Sequence, residues 1–245
     1  MWLTIDVEEI EDMNFDLKWK KKLEVNYEKT IDDFITLAKN HHATAFVLAT
    51  FAKKYPHLIK KLSNAGVEIG CHGYNHDLIY SITFNQWREE VQSAKNYLEE
   101  LIGEKIIGYR AVNWSMPFEK QYYEELVKMG FCYSSSYFPM KNYMYGNIIN
   151  KSEPFSIYTQ SGIIEERPLK RDIIPFSGGF YLRVLPLWLL KILFKRVEKP
   201  IFYIHPYELL GKKTLYFRNF AEMNLDFFLA FYSTGSVERK LNHII

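Results

Sequence analysis

Short apolar segments alternate with segments of helical periodicity along the first half of this 245-residue chain. The apolar segments predict strands at residues 4–5, 43–48, 67–71, 106–109 and 131–133. Amphipathic spacing predicts helices between them, at residues 27–40, 56–64, 84–101 and 119–128. This alternation is typical of a parallel sheet or barrel, so we expect an α/β fold.

Local signals mark where the longest predicted helix begins and ends. Residues 83–86, Thr-Phe-Asn-Gln, resemble a capping box at its start, and Gly103 is expected to close it. The second half of the chain is less regular. Its predicted elements are strands at 163–166 and 200–204, a turn or loop at 176–181, a helix at 186–197 and two helices after 217.

The chain contains no linker, repeat or compositional break that would divide it. We therefore predict a single domain over residues 1–245, with residues 212–245 as a C-terminal helical extension packed on it.

Composition narrows the classes of partner. A net charge of +2 argues against nucleic-acid binding, which needs a concentrated basic face. The aromatic content of 17% favours a carbohydrate ligand, because exposed aromatic rings stack on sugars. Cys71 and Cys132 fall in predicted buried strands and are interpreted as core residues of a protein in a reducing compartment.

The chain lacks the usual signals for secretion and membrane insertion. Residues 1–6 show no basic region followed by an apolar run, which predicts a cytoplasmic protein. The longest apolar stretch, residues 185–194, is interrupted by Lys191 and is too short to span a bilayer. The apolar and basic segment 181–196 could lie on a membrane surface, although we favour packing on the protein body.

Five chemically active residues follow predicted strands: Asp6, His72, His76, Arg110 and His205. In a barrel of parallel strands, chemistry gathers where the strands end, so these side chains are expected to lie together. His72 and His76 are four residues apart and would share one face of a helical turn, from which both reach one divalent metal. Singly, each has an ordinary alternative, such as a helix cap for Asp6 or a core position for His205.

The motifs around these residues resemble the polysaccharide deacetylase family, the NodB-homology carbohydrate esterases. Residues 4–8, Thr-Ile-Asp-Val-Glu, are similar to the family's first motif, Thr-Phe-Asp-Asp, and residues 72–76 match its His-x-x-x-His motif. Residues 109–111 correspond to the motif centred on an arginine, and residues 203–206 resemble the late Leu-His motif. Longer stretches resemble the branch associated with exopolysaccharide and surface-glycan loci. The resemblance implies a distorted (β/α)7 barrel, similar to a TIM barrel.

The resemblance also implies a metal-dependent hydrolase that removes the N-acetyl group of an acetamido sugar. It assigns Asp6 as the general base for a metal-activated water and His205 as the general acid that protonates the leaving amine. Arg110 is implied as the partner that keeps Asp6 ionised and oriented. His72 and His76 are implied as ligands of one divalent metal ion, expected to be Zn²⁺. The predicted substrate-binding residues are Tyr74, Trp114 and Tyr207.

The first motif departs from the family pattern at a metal-binding position. Val7 stands where the common form has a second Asp, and Val7 cannot coordinate a metal. Glu8 is predicted to supply this third ligand, which requires the chain to remain extended past Asp6 so that both carboxylates share a face.

The motif at residues 133–136 is also altered. Ser134 stands where related sequences tend to have an Asp that orients the acid histidine, and Glu166 or Glu208 is a candidate substitute. Trp114, beside the arginine motif, is interpreted either as a sugar-stacking ring or as a core aromatic residue.

Three hypotheses of function follow. The first is an N-deacetylase acting on a glycan precursor, lipid-linked or nucleotide-linked, inside the cell. The second is a hydrolase of cyclic imides or ureides on the same fold, because relatives with shifted first-motif carboxylates resemble that group. The third is a sugar-binding relative that has lost turnover, suggested by Val7 and Ser134. The joint presence of the two His-motif imidazoles, Arg110 and His205 argues against the third.

Overall fold

The computed structural model describes residues 1–13, 25–138, 151–170, 176–198, 200–210 and 233–244, and every structural statement below concerns these residues. The chain divides into two compact units, one of residues 1–43 with 171–245 and the other of residues 44–170. The predicted helices after 217 fall mostly outside the described residues.

The described residues contain eight strands. Their bounds are β1 Trp2–Val7, β2 His42–Val47, β3 Glu68–Cys71, β4 Gly108–Tyr109, β5 Tyr133–Ser134, β6 Phe155–Tyr158, β7 Ile163–Glu166 and β8 Ile201–Ile204. In the unit of residues 44–170 the strand order is β6-β7-β5-β4-β3-β2. Neighbouring pairs from β2 to β7 are parallel, whereas β6 runs antiparallel to β7.

In the other unit β1 pairs with β8 in parallel, with Trp2 opposite Ile201 and Ile5 opposite Ile204. This register places the end of β1 beside the end of β8. The residues that follow these two strands therefore come close together, since parallel strands end at the same edge of a sheet.

Eight helices accompany the strands. They are α1 Tyr27–Ala38, α2 Ala49–Lys54, α3 Pro56–Asn64, α4 Phe84–Ile102, α5 Lys120–Lys128, α6 Gly179–Val184, α7 Leu187–Arg196 and α8 Val237–Ile244. Short 3-10 turns occur at Ile10–Asp12, Ile79–Ser81, Val112–Trp114, Pro206–Leu209 and Thr234–Ser236. No helix of the described ranges is both long enough and apolar enough to cross a bilayer.

The predicted capping of α4 is confirmed. The Thr83 side chain accepts a hydrogen bond from the Gln86 backbone N–H at 3.3 Å, and the Gln86 side chain accepts one from the Thr83 N–H at 2.9 Å. Gly103 closes the helix with a left-handed φ of 76°, a conformation that glycine adopts without the steric cost of a Cβ atom.

Two local predictions were wrong. Residues 179–184 form helix α6 rather than a turn or loop, with Gly178 bridged to Tyr203 of β8. Cys132 is exposed rather than buried. Strand β5 begins only at Tyr133, the residue after Cys132, and Phe131 and Tyr133 on either side of Cys132 are buried. Cys71 is fully buried, as expected.

Candidate metal centre and active site

Strand β1 carries two buried carboxylates at its end. Asp6 lies within the strand and Glu8 follows its last residue, and each is 2% exposed. The backbone remains extended at Val7 and again at Glu9, where φ is −80° and ψ is 159°. An extended chain places residues two apart on the same side, so Asp6 and Glu8 point one way and Val7 points the other, into the core.

The two histidines of the His-x-x-x-His motif follow β3. The chain bends after His72 at Gly73, whose φ is +104°, and residues 72–76 form no helix. The condition of a helical turn is therefore not met, and Gly73 instead adopts a left-handed conformation that glycine tolerates. The two imidazole rings nevertheless lie close, with centroids 6.1 Å apart.

His72 is held in one tautomer by the backbone. Its Nδ1 lies 2.7 Å from the carbonyl oxygen of Arg110 and must donate, since a carbonyl oxygen only accepts. The proton on Nδ1 leaves the lone pair on Nε2 available. A backbone carbonyl in this place is the usual arrangement behind a metal-binding histidine.

The candidate ligands follow two strands. Glu8, 2% exposed, follows β1, and the neighbouring imidazoles of His72 and His76 follow β3. A carboxylate with two imidazoles is a donor set that suits Zn²⁺ and leaves a position for water or substrate. The residues present therefore fit a divalent metal ion.

His205 follows β8 and is held by Glu208. The His205 N–H donates to Glu208 Oε2 at 3.0 Å, and the ring Nδ1 lies 3.2 Å from the same oxygen. The other ring nitrogen, Nε2, lies 3.8 Å from Glu8 Oε1. Burial alone would lower the pKa of His205, but the negative charges of Glu8, Glu208 and Asp6 outweigh it and raise this pKa to about 9. His205 is thus favoured as a protonated imidazolium, the form a general acid needs.

Glu208 is itself held by a positive charge. Arg183 of α6 donates from Nε to Glu208 Oε1 at 2.9 Å, and the two side chains are 3% and 1% exposed. Burial would raise the pKa of Glu208, but the Arg183 guanidinium and the hydrogen bonds from His205 lower it below its ordinary value. Glu208 therefore stays a carboxylate next to His205.

Arg110 is fully buried after β4. Its Nε donates to the Ser135 carbonyl oxygen at 3.3 Å, and Nη2 donates to Ser135 Oγ at 3.0 Å. Its guanidinium carbon lies 4.1 Å from the centre of the Phe46 ring. These contacts fix the guanidinium in place, and its predicted role toward Asp6 stays a prediction.

Glu166 occupies the neighbourhood of the altered motif at 133–136. Its Oε1 accepts the backbone N–H groups of Ser136 at 2.9 Å and Tyr137 at 3.0 Å, while Ser134 bonds to Ser136 through their hydroxyls. Burial raises the pKa of Glu166 to about 7. Of the two candidate substitutes for the missing Asp, Glu208 is the one the structure places on His205.

The three predicted substrate-binding aromatics have different surroundings. Tyr74 is half-buried, and Lys53 both donates to its hydroxyl and lies 4.7 Å from its ring centre. Tyr207 is 6% exposed and stacks on His205 with ring centroids 4.9 Å apart. Trp114 is 5% exposed, which favours the core interpretation for that residue.

Sequence reasoning missed Arg183 and Gly179. Arg183 lies 25 residues before its partner Glu208. Gly179 lies against the Glu208 carboxylate, and a Cβ atom at this position would overlap both carboxylate oxygens. Neither residue stands in a recognisable motif, so no local signal could have found them.

The two halves of the chain match models of two different families. Residues 14–131 match the model of the polysaccharide deacetylase family, and residues 135–245 match a domain family of unknown function, DUF3473. Each match covers just under half of the chain.

Several of the curated relatives are bacterial deacetylases. A peptidoglycan deacetylase of Helicobacter pylori is 27% identical over 164 residues, covering 64% of this chain and 55% of the relative. A peptidoglycan-N-acetylmuramic acid deacetylase of Bacillus subtilis is 24% identical over 147 residues, covering 51% of each chain. The chain thus spans about half the length of these relatives.

Solved structures share the fold. A structure described as a candidate polysaccharide deacetylase from Mycobacterium smegmatis has a TM-score of 0.65 at 14% identity, covering 99% of this chain and 83% of that one. A carbohydrate esterase family 4 pseudoenzyme from Bacillus anthracis has a TM-score of 0.50 at 12% identity, covering 100% of this chain and 60% of that one. The predicted α/β fold is confirmed by this likeness. The family model and these relatives thus show similarity to the polysaccharide deacetylase family, the NodB-homology carbohydrate esterases, over part of the chain.

Proposed function

We propose that this protein is a metal-dependent hydrolase that removes the N-acetyl group from an acetamido sugar. Two observations carry the proposal. The rings of His72 and His76 lie 6.1 Å apart with the His72 proton fixed on Nδ1, and the Nε2 atom of His205 lies 3.8 Å from the Glu8 carboxylate. Metal ligands and an acidic imidazole supply the two functions that amide hydrolysis needs, an activated water and a proton for the amine.

Glu8, His72 and His76 would hold the metal, and Zn²⁺ is the ion that this donor set suits best. When bound, such an ion polarises the acyl oxygen and makes water a stronger acid. The Arg110 carbonyl oxygen contributes by fixing the proton of His72 on Nδ1, which directs Nε2 to the metal.

The remaining steps belong to side chains of the chain itself. Asp6, two residues before Glu8 and on the same side of β1, accepts the proton of the attacking water. As the carbon–nitrogen bond breaks, its electron pair goes to the nitrogen, which takes a proton from His205. The products are acetate and a free amino sugar.

The proposal also names a class of substrate. The named relatives act on peptidoglycan, which contains acetamido sugars, so this chemistry is the first to test. The resemblance to deacetylases of exopolysaccharide and surface-glycan loci favours a glycan precursor of the same class. The cytoplasmic location expected from the sequence stays a prediction.

Two alternatives differ in what they require. A glycan-binding relative without turnover needs no carboxylate at the positions of Val7 and Ser134, yet Glu8 and Glu208 supply carboxylates that can replace the missing ones. This compensation favours an enzyme. A cyclic imide or ureide hydrolase would use the same water-activating groups, so only the choice of substrate separates it from the deacetylase.

The test combines metal analysis with product analysis. Purified protein loaded with Zn²⁺ should retain about one ion per chain. It should release acetate from N-acetylglucosamine oligomers and should not open the ring of cyclic imides. His72→Ala should lose both properties, whereas His57→Ala, which removes an exposed histidine of α3, should lose neither. Failure of the native protein to bind any transition metal would overturn the proposal, and hydrolysis of cyclic imides alone would favour the alternative.

We also propose that helix α7 contacts an anionic membrane surface. Its inner side packs through the buried Leu190 and Leu193, while Trp188 is 64% and Ile192 is 42% exposed. Lys191 and Lys195 share this exposed side, since residues three and four apart on a helix are neighbours. Exposed aromatic and aliphatic side chains next to lysines suit the headgroup region of an anionic bilayer.

A further inference from the structure

We propose that Glu208 is the positioning residue for the general acid His205, and that Arg183 and Gly179 hold Glu208 in place for this task. The inference rests on the proposed function, and it assigns roles to three residues beyond it. It also explains how the chain dispenses with the aspartate that Ser134 has replaced.

Glu208 bonds to both the backbone and the ring of His205. One oxygen of the carboxylate, Oε2, accepts both the backbone N–H of His205 at 3.0 Å and the ring Nδ1–H at 3.2 Å. Backbone and ring are therefore tied to a single atom, which fixes the rotation of the imidazole relative to the end of β8. Pro206 starts the intervening 3-10 turn with its restricted φ and makes the loop short and stiff.

The other carboxylate oxygen of Glu208 pairs with Arg183. Arg183 donates to Oε1 at 2.9 Å, and both side chains are nearly inaccessible to water. A buried ion pair gains little stability over apolar packing, because desolvation offsets the attraction between the charges. The buried charge of Glu208 is therefore explained by a third group, the imidazole of His205, which the carboxylate orients and stabilises.

Gly179 leaves space for the Glu208 carboxylate. Any side chain at position 179 would overlap the Glu208 carboxylate, because even a Cβ atom would meet both of its oxygens. Helix α6 thus places a glycine against the carboxylate and, one turn later, an arginine on it. Lys240 of α8 fixes the far end of this helix by donating to the carbonyl oxygens of Leu182, Arg183 and Leu185.

The hydrogen bond between Glu208 and His205 decides which ring nitrogen can give a proton to the substrate. With Nδ1–H committed to Glu208, the proton for the substrate comes from Nε2. During departure of the amine, the Nε2–H bond breaks and its proton forms a new N–H bond, while the water oxygen remains on the acyl carbon as acetate. Glu208 stays ionised throughout and stabilises the imidazolium before the transfer, as a carboxylate does behind a catalytic histidine.

This role predicts a selective defect. An amine leaving group must be protonated, whereas 4-nitrophenolate leaves without a proton, so only amide cleavage depends on a well-placed acid. With Zn²⁺-loaded enzyme, Glu208→Gln should lower kcat for N-acetylglucosamine oligomers by on the order of 100-fold and change KM little. Hydrolysis of 4-nitrophenyl acetate by the same variant should remain within about threefold of the native rate.

Three further variants separate positioning from folding. Gly179→Ala, which displaces the carboxylate without removing a charge, should show the same loss on the amide and not on the ester. Glu208→Asp should recover part of the amide activity. Glu166→Gln removes a buried carboxylate that bonds to residues 136 and 137, and it should leave the ratio of amide to ester activity unchanged.

The outcomes distinguish the two proposals. Native enzyme that hydrolyses neither substrate overturns the proposed function and this inference with it. Native enzyme active on both, with a Glu208→Gln variant that loses both equally or neither, overturns only the role of Glu208. A crystal structure of Glu208→Gln with the His205 ring unmoved and amide activity intact would lead to the same conclusion.

Discussion

The Nδ1 atom of His72 lies 2.7 Å from the carbonyl oxygen of Arg110, so the main chain of Arg110 orients the imidazole ring of His72. The carbonyl can only accept, which fixes the tautomer of His72 and presents Nε2 for coordination. The main chain after β4 therefore orients His72, a predicted metal ligand, while the role of the Arg110 side chain toward Asp6 stays a prediction.

Glu8 is predicted to be the third metal ligand. Replacing it with glutamine removes a negatively charged oxygen donor from a site with two imidazoles, so Glu8→Gln should weaken Zn²⁺ binding by about 100-fold or more, measured by competition with a chromogenic chelator. Glu9→Gln is the matched control, since Glu9 is only half-buried and its backbone N–H bonds to Asp12. Equal affinities for native protein and Glu8→Gln would show that another group completes the site.

Asp6 is predicted to act on the water and not on the metal. Asp6→Asn keeps the shape of the side chain but removes its basicity, so kcat should fall by about 100-fold to 10,000-fold. Zn²⁺ content, measured by elemental analysis, should remain at the native level. Loss of the metal in this variant would instead make Asp6 a ligand and would contradict the assignment.

The stability of the fold is predicted to depend on pH through Glu166. Burial raises the pKa of this carboxyl group from 4.5 in a free side chain to about 7 in the folded protein. The folded state therefore holds the proton more tightly, and the resulting stability is complete below about pH 4.5 and lost as pH rises through 7.

Urea unfolding of native protein and Glu166→Gln at several pH values checks this prediction. The free energy of unfolding of native protein relative to the variant should decrease from pH 5 to pH 8 by on the order of 3 kcal/mol. Other titrating groups, including the histidines, contribute equally to both proteins and cancel. A difference that does not change with pH would contradict the raised pKa of Glu166.

Lys240 is predicted to stabilise the unit of residues 1–43 and 171–245. Its ammonium group donates to three carbonyl oxygens at the end of α6, at 2.7–2.8 Å. Lys240→Met leaves these carbonyls without their charged donor and should reduce the free energy of unfolding by about 2–3 kcal/mol, measured by urea titration. Arg239→Met, at an exposed position of the same helix, should change it by less than about 0.5 kcal/mol.

The exposed side of α7 is predicted to bind anionic lipid. Sedimentation with phosphatidylcholine vesicles that contain phosphatidylserine should recover the protein, and pure phosphatidylcholine vesicles should not. Lys191→Glu and Trp188→Ala should each weaken this binding about tenfold, because one reverses a charge and the other removes an interfacial ring. Lys60→Glu, at an exposed position of α3, is the control. Binding that ignores phosphatidylserine, or that the control weakens equally, would contradict a specific role for α7.

The helices and strands of the first half could be predicted from local pattern, since periodicity and capping act over a few residues. The capping box at Thr83 and the helix of residues 56–64 are examples. The prediction failed at α6, where a run with two glycines suggested a turn. Tertiary packing decided there, because Gly179 meets the Glu208 carboxylate and Lys240 holds the opposite end of the helix.

By itself the sequence determined the strand–helix alternation, the histidine pair and the order of the motifs. These features depend only on which residue types stand a few positions apart along the chain. Only the tertiary structure decided that Glu8 lies beside His205 and that Glu208, not Glu166, holds His205. It also decided that Arg183 neutralises Glu208 from 25 residues away. Burial and pairing of charges depend on which distant segments pack together, and no local propensity encodes that choice.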